Sequence, residues 1–133
     1  MTPFKLQIVT PDRLFFEGEV ESVVVRTTEG DIAILKDHIS YVGILDIGHA
    51  RIKAGGEYRN ACLSGGFIQV DEEKATILTE AAEWPEEIDL ERAKRAKERA
   101  QSAMKGGGDI DAASAEAKLK RAITRINSVE KHL

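Results

Sequence analysis

Hydrophobic and polar positions change rhythm once along this chain, near residue 84. Phe4, Leu6 and Ile8 alternate with Lys5 and Gln7, the period-two pattern of a half-buried strand. Pro11-Asp12 signals a turn, and a short strand resumes over 14–16. Residues 19–27, with Val20, Val23, Val24 and Val25, predict one continuous valine-rich strand. Ile32 and Ile34 share a face over 31–35. Gly55-Gly56 suits a two-residue hairpin turn that needs positive φ, and Gly65-Gly66 marks a second backbone-limited position. Strands over 67–70 and 75–79 flank the acidic turn Asp71-Glu72-Glu73. Short strands with regular turn signals predict an antiparallel β-sandwich or flattened barrel.

Trp84-Pro85 breaks this pattern. Asp89 stands where an N-cap belongs, and helix formers follow it to Met104. Gly106-Gly107-Gly108 ends that helix, and Asp109 or Asp111 caps a second one running nearly to Leu133. The second helix places Ala115, Leu119, Ala122, Ile126, Val129 and Leu133 on one seam. Leu90, Ala93, Ala96, Ala100 and Ala103 answer it from the first. The expected fold class is therefore β + α. An antiparallel β-sandwich over 1–84 is followed by a two-helix antiparallel hairpin over 85–133.

That seam is poor in large side chains. A buried methylene contributes about 0.8 kcal/mol, so an alanine contributes far less than a leucine. The hairpin is expected to hold by only a few kcal/mol, above a glycine hinge that costs conformational entropy. Opened into one helix, residues 88–133 would reach roughly 65 to 70 Å, at about 1.5 Å per residue.

Charge sharpens the division. Residues 1–87 carry eight Lys or Arg against sixteen Asp or Glu, net −8, whereas 88–133 carry eleven against seven, net +4. All seven aromatics precede residue 85. Two units with different tasks follow from this split. No stretch nears the roughly 20 apolar residues that span a bilayer, and the first ten residues lack a signal-peptide core. Cys62 is the only cysteine, which excludes an internal disulfide and fits a reducing cytoplasmic compartment.

Chemistry is sparse. His38, His49 and His132 are scattered, and no zinc or P-loop spacing occurs. Asp71-Glu72-Glu73 reads as a solvated turn, and Asp37-His38 as a polar loop. No catalytic residue and no metal site is expected. Arg92, Arg95 and Arg99 line adjacent rows of the first helix, and Arg121 and Arg125 lie four apart on the second. Guanidinium forks of this kind bind phosphate oxygens. Residue chemistry alone still favours a solvated basic face, with Asp89 as a simple N-cap. Nucleic acid is a poor partner: the helical part has no aromatic for stacking, and the whole chain carries −4.

Several segments, in order, resemble the epsilon subunits of bacterial F-type ATP synthases. They are Val9-Thr10-Pro11-Asp12, then Glu29-Gly30-Asp31-Ile32-Ala33-Ile34-Leu35 with His38, then Ser64-Gly65-Gly66-Phe67. Ile88-Asp89-Leu90-Glu91-Arg92-Ala93 resembles that family's I/L-D-x-x-R-A motif, and Lys120-Arg121-Ala122 with Arg125-Ile126-Asn127 its second helix. The resemblance implies a non-catalytic rotor subunit at the foot of the central stalk. The β body would grip the gamma subunit and touch the c ring through Asp31 and His38. The hairpin would inhibit ATP hydrolysis when extended between the alpha and beta subunits. ATP, with or without Mg²⁺, would favour the folded hairpin as a regulatory ligand. By motif position its contacts would be Glu83, Ile88, Asp89, Arg92, Ala93, Arg99, Arg121 and Arg125. The location implied is the cytoplasmic face of the bacterial membrane, peripheral and without direct insertion. Ala33, Lys36 and Ser40 depart from the glycine, proline and proline frequent in the family. Ser114 stands where a second motif echo, from Ile110-Asp111 to Ala115, would carry arginine.

Overall fold

A computed structural model describes residues 3–37, 39–106 and 112–130. Eight strands precede the helices: β1 (Phe4–Val9), β2 (Leu14–Val20), β3 (Ser22–Thr27), β4 (Gly30–Leu35), β5 (Tyr41–Ala54), β6 (Glu57–Val70), β7 (Lys74–Leu78) and β8 (Ala82–Glu83). A single 3-10 turn (Pro85–Glu87) leads into α1 (Leu90–Gly106) and α2 (Ala112–Glu130).

The strands form one continuous hydrogen-bonded sheet, in the order β2-β1-β7-β6-β5-β3-β4, with β8 on β6. Two long strands fold it into a sandwich. In β5 the buried positions are Gly43 and Leu45, then Gly48, Ala50 and Ile52, so the inward face changes phase near Asp46. In β6 the inward positions pass from Ala61, Leu63 and Gly65 to Ile68 and Val70, and Cys62 is buried from the outer face. Gly65 and Gly66 sit at this change with φ of 88° and 117°, values glycine adopts without a Cβ penalty. A Cβ on Gly66 would run into the backbone carbonyl of Leu78. Each long strand thus contributes one half to each layer. The core between the layers is made by Leu6, Ile8, Val20, Val23, Ile52, Ile68 and Ile77, all nearly or completely buried.

Three features differ from the sequence expectation. The valine-rich stretch over 19–27 is two strands, broken at Glu21, whose N–H donates to the Lys53 carbonyl at 2.6 Å. β1 pairs parallel to β7, while the other strand pairs are antiparallel. β5, fourteen residues long, had no counterpart in the periodicity, because its phase change interrupts the alternation that reveals a strand.

Gly55 and Gly56 make the β5–β6 turn with φ of 59° and 78°. The acidic turn is held by Asp71 Oδ1, which accepts from the N–H groups of Glu73 and Lys74. Trp84 fastens the junction between the two units. Its ring stacks on Phe15 at 4.4 Å and meets Phe16 edge-on at 6.2 Å. The Arg59 guanidinium lies 3.5 Å from the Trp84 ring centroid. Arg13 Nη2 donates to both carboxylate oxygens of Glu87, at 2.9 and 3.0 Å. This contact holds the Glu87 carboxyl below its usual range.

Beyond the junction, Asp89 Oδ1 accepts the Arg92 N–H at 3.1 Å and caps α1. The two helices pack through Ala93, Ala100, Ala115 and Ala122, each buried. Leu90, Ala96, Ala103, Leu119, Ile126 and Val129 are half-buried around them. The expected caps Asp109 and Asp111, most of the glycine hinge, and Leu133 lie outside the described residues.

Candidate functional site

Alanines on both helices leave space between α1 and α2, and basic side chains border it. The groove has a volume of about 640 Å³ and is lined by Ala96, Arg99, Ala100, Ala103, Ser114, Ala115, Lys118, Arg121 and Arg125. Among the described residues, four cations and no carboxylate line it. The volume falls in the range of small-molecule pockets. Arg125 is already engaged, its Nε donating to Glu83 Oε1 at 2.6 Å. No ion pair ties Arg99, Lys118 or Arg121 among the described residues.

Of the residues the family motif singled out, Arg99, Arg121 and Arg125 meet at this groove, and Glu83 joins it through Arg125. Asp89 serves as the α1 N-cap, and Arg92 is exposed on the first turn. Arg92 stands seven residues, roughly 10 Å of helix, before Arg99. Ile88 is extended and half-buried, its N–H donating to the Pro85 carbonyl. Ala93 is buried between the helices. Lys118 was missed by the motif, although its spacing of three and seven from Arg121 and Arg125 was readable.

A second assembly fastens α2 to the β body. His49, Cys62 and Glu83 are register partners across β5, β6 and β8, so they form one row on the outward face of the sheet. Ser128, completely buried, meets His49 Nε2 through its Oγ at 2.6 Å. Arg125 reaches Glu83 at the end of the same row. Lys120 Nζ donates to Asp46 Oδ2 at 2.6 Å, and this hydrogen bond pulls the Asp46 carboxyl below its usual range. Burial lowers the His49 pKa from its ordinary 6.5. Burial also raises the Cys62 thiol to about 11, the reverse of what an activated nucleophile requires. Histidine and cysteine, remote in sequence, are adjacent here because strand register pairs them, a relation no local spacing encodes.

On the opposite half of the sheet the outward face is apolar. Ile44, Phe67, Leu78, Val9 and Leu14 are successive register partners across β5, β6, β7, β1 and β2. Ile44 is 66% exposed and Phe67 43%, and Val42 beside them is 69% exposed. Soluble surfaces rarely align large apolar side chains in this way without a partner. Asp31 lies at the start of β4, its Oδ1 accepting from Arg26 Nε at 3.1 Å. The alternation over 31–35 is thus a strand, Gly30–Leu35. His38 lies outside the described residues.

A β-sandwich whose outward faces are divided between a docked helical hairpin and an open apolar row defines a two-part binding subunit. Residues 3–85 match the ATP synthase delta/epsilon chain beta-sandwich domain, and residues 86–130 match the long alpha-helix domain of the same chain. The ATP synthase epsilon chain of Caldanaerobacter subterraneus subsp. tengcongensis is 46% identical over 131 residues, covering 97% of this chain and 95% of the relative. That of Alkaliphilus metalliredigens is 55% identical over 101 residues, covering 76% and 75%. A chain in the Euglena gracilis mitochondrial ATP synthase structure, described as OSCP/F1/c-ring in rotational state 1, superposes with a TM-score of 0.83. It is 25% identical, over 93% of this chain and 79% of that one. The chain belongs to the epsilon-chain family, a non-catalytic subunit of the ATP synthase central stalk.

Proposed function

We propose that the chain couples rotation of a proton-driven c ring to ATP synthesis and restrains ATP hydrolysis through its C-terminal helices. The observation that carries the coupling role is the in-register apolar row from Ile44 to Leu14. It is the surface on which the gamma subunit docks. Burying several such side chains supplies on the order of several kcal/mol, at about 1.5–3 kcal/mol for each fully buried one. Asp31 and the segment around residue 38 then face the c ring, at the cytoplasmic face of the bacterial membrane. No helix among the described residues is long and apolar enough to cross a membrane; in this reading attachment is through the ring and stalk.

The hairpin is the regulator. ATP bound in the α1–α2 groove, with or without Mg²⁺, favours the folded form; released, the helices extend and meet the alpha and beta subunits. Four groove-lining cations and the alanines that fill the fully buried part of the helix contact support this reading. A ligand at about 100 times its dissociation constant adds about 2.7 kcal/mol to the state it prefers. That matches a hairpin held by a few kcal/mol. A sensor acting alone has no use for the apolar row, which favours the stalk role.

The test is ATP hydrolysis by a bacterial catalytic core containing gamma, with the full chain or residues 1–87 added. The core residues of the β body all lie within 4–82, so the truncated body retains its own core. Suppression by the full chain but not by 1–87 is the expected result. Full-chain Phe67→Asp should no longer bind. Equal suppression by both forms rejects the hairpin as inhibitor, and unaltered binding of Phe67→Asp rejects the apolar row as the gamma site.

A further inference from the structure

We infer that Lys118 holds the terminal phosphate of a nucleoside triphosphate in the α1–α2 groove, so that this one side chain sets preference for triphosphate over diphosphate. The inference rests on the nucleotide reading above and extends it to a residue outside the family motif. Three observations carry it. Lys118, Arg121 and Arg125 line the same groove from α2, at positions three and seven apart that fall along one helical stripe. Charge is graded along that stripe. At the Arg125 end, Glu83 neutralises the guanidinium at 2.6 Å and repels phosphate. Arg121, with Arg99 facing from α1, comes next, and Lys118 stands at the far end with no ion pair among the described residues. A polyphosphate therefore lies with its nucleoside end toward Glu83 and its terminal phosphate toward Lys118. Finally, Ser114 lies one turn before Lys118 and lines the same groove. Its hydroxyl carries no charge, so among the described lining residues the ammonium of Lys118 is the cation at that end.

The chemistry suits a flexible ammonium. It binds phosphate as a point charge, without the fixed geometry that a guanidinium fork requires. A shorter ligand leaves it unused. A diphosphate spans Arg99 and Arg121 but does not extend to Lys118, and a monophosphate remains near Arg125.

Equilibrium binding of ATP, ADP and AMP to the full chain, Lys118→Ala and Lys118→Arg tests this. Lys118 is exposed, so the substitution leaves the fold intact, and a thermal melt without nucleotide checks that. Lys118→Ala should weaken ATP about tenfold, the worth of one charge-assisted contact, with ADP changed less than about threefold and AMP not at all. Lys118→Arg should restore most of the ATP affinity. Unchanged ATP affinity in Lys118→Ala overturns the inference while leaving the groove as the nucleotide site. Equal weakening of all three ligands also overturns it, because a general charge effect then explains the loss. Failure of the unsubstituted chain to bind any nucleotide removes the nucleotide reading itself, and this inference with it.

Discussion

In the β body, Leu6, Ile8, Ile52, Ile68 and Ile77 meet around one core, whereas between α1 and α2 the buried side chains are Ala93, Ala100, Ala115 and Ala122. Large aliphatic residues contribute about 1.5–3 kcal/mol each when buried, and an alanine methyl much less. The hairpin draws its remaining hold from polar contacts to the body: Lys120 on Asp46, Arg125 on Glu83, and Ser128 on His49. Ion pairs of this partly exposed kind contribute little. One chain therefore holds two stabilities, a body that resists unfolding and a hairpin that can be released from it. The polar row beneath α2 makes release tolerable, since His49 and Glu83 can be hydrated when uncovered, as an apolar face could not.

The largest effects fall in the body. Gly66→Ala brings a Cβ against the Leu78 carbonyl at a φ of 117°, a clash with backbone that no rotamer relieves. It should cost more than about 3 kcal/mol and leave little folded protein. Ile68→Ala should cost about 2–5 kcal/mol by cavity formation, read as a fall in the midpoint of chemical denaturation. Either one should unfold body and hairpin together, because the hairpin has no independent core.

Ala122→Leu separates the two regions. Ala122 is completely buried between the helices, and overpacking there costs about 1–3 kcal/mol. The expected result is a hairpin that opens while the body melts almost unchanged. Cys62 reports the opening without any added probe: it is the sole cysteine, it faces outward from β6, and the docked helix leaves it 4% exposed. Its reaction with a thiol reagent should be slow in the native chain, faster in Ala122→Leu, and slowed again by ATP if nucleotide favours the closed form. Equal labelling rates with and without Ala122→Leu would mean that α2 does not gate the thiol.

Local pattern revealed both helices, their seam and the Asp89 cap, because each depends on residues within a turn or two of one another. It revealed the strands that keep one alternating phase, β1 and β4 among them. β5 escaped because Asp46 and Ile47 shift its phase where the sheet folds, and β2 ran longer than its apolar residues suggested. At the groove, Arg99, Arg121 and Arg125 were legible through helical spacing and the family motif, whereas Lys118 was missed, since a single lysine on a charged helix looks like any solvated one. The His49–Cys62–Glu83 row and the apolar row were not legible. Both are built by pairing across strands up to several tens of residues apart, and register is set by tertiary folding, not by adjacent residues.

A smaller effect tests the ion pair on which α2 ends its contact with β8. Removing Arg125 leaves Glu83 half-buried without its cation, and removing Glu83 frees Arg125 toward the groove. Each alanine variant should weaken hairpin docking by about 1 kcal/mol, read as a faster Cys62 reaction. The double variant should cost less than the sum of the two, since neither leaves a partner stranded once both are gone. The pair also divides docking from ligand binding: Glu83→Ala should weaken docking yet strengthen phosphate binding, whereas Arg125→Ala should weaken both.

The smallest effect is the dependence of docking on pH, and its sign follows from His49. Burial beneath α2 is the main cause of its lowered pKa; Arg26 on β3 lowers it further, while the contact with Thr124 of α2 acts in the opposite direction. Ser128 Oγ lies at its Nε2, and Cys62 pairs with it on β6 but is neutral at these pH values. A depressed pKa means that the undocked histidine binds a proton more readily than the docked one. Docking is therefore at full strength above the ordinary pKa of 6.5 and weakens as pH falls below it toward the lowered value. Asp46 has the same sign but a more acidic window, because the hydrogen bond from Lys120 is lost only when the carboxylate is protonated below its usual range. Cys62 labelling, corrected for the thiolate fraction, should accelerate modestly between pH 7 and pH 5.5. His49→Gln should remove that acceleration while leaving the Asp46 contribution near pH 4. If the native chain shows no change above pH 5, His49 binds protons equally whether α2 is docked or free, and the histidine contact is a packing contact only.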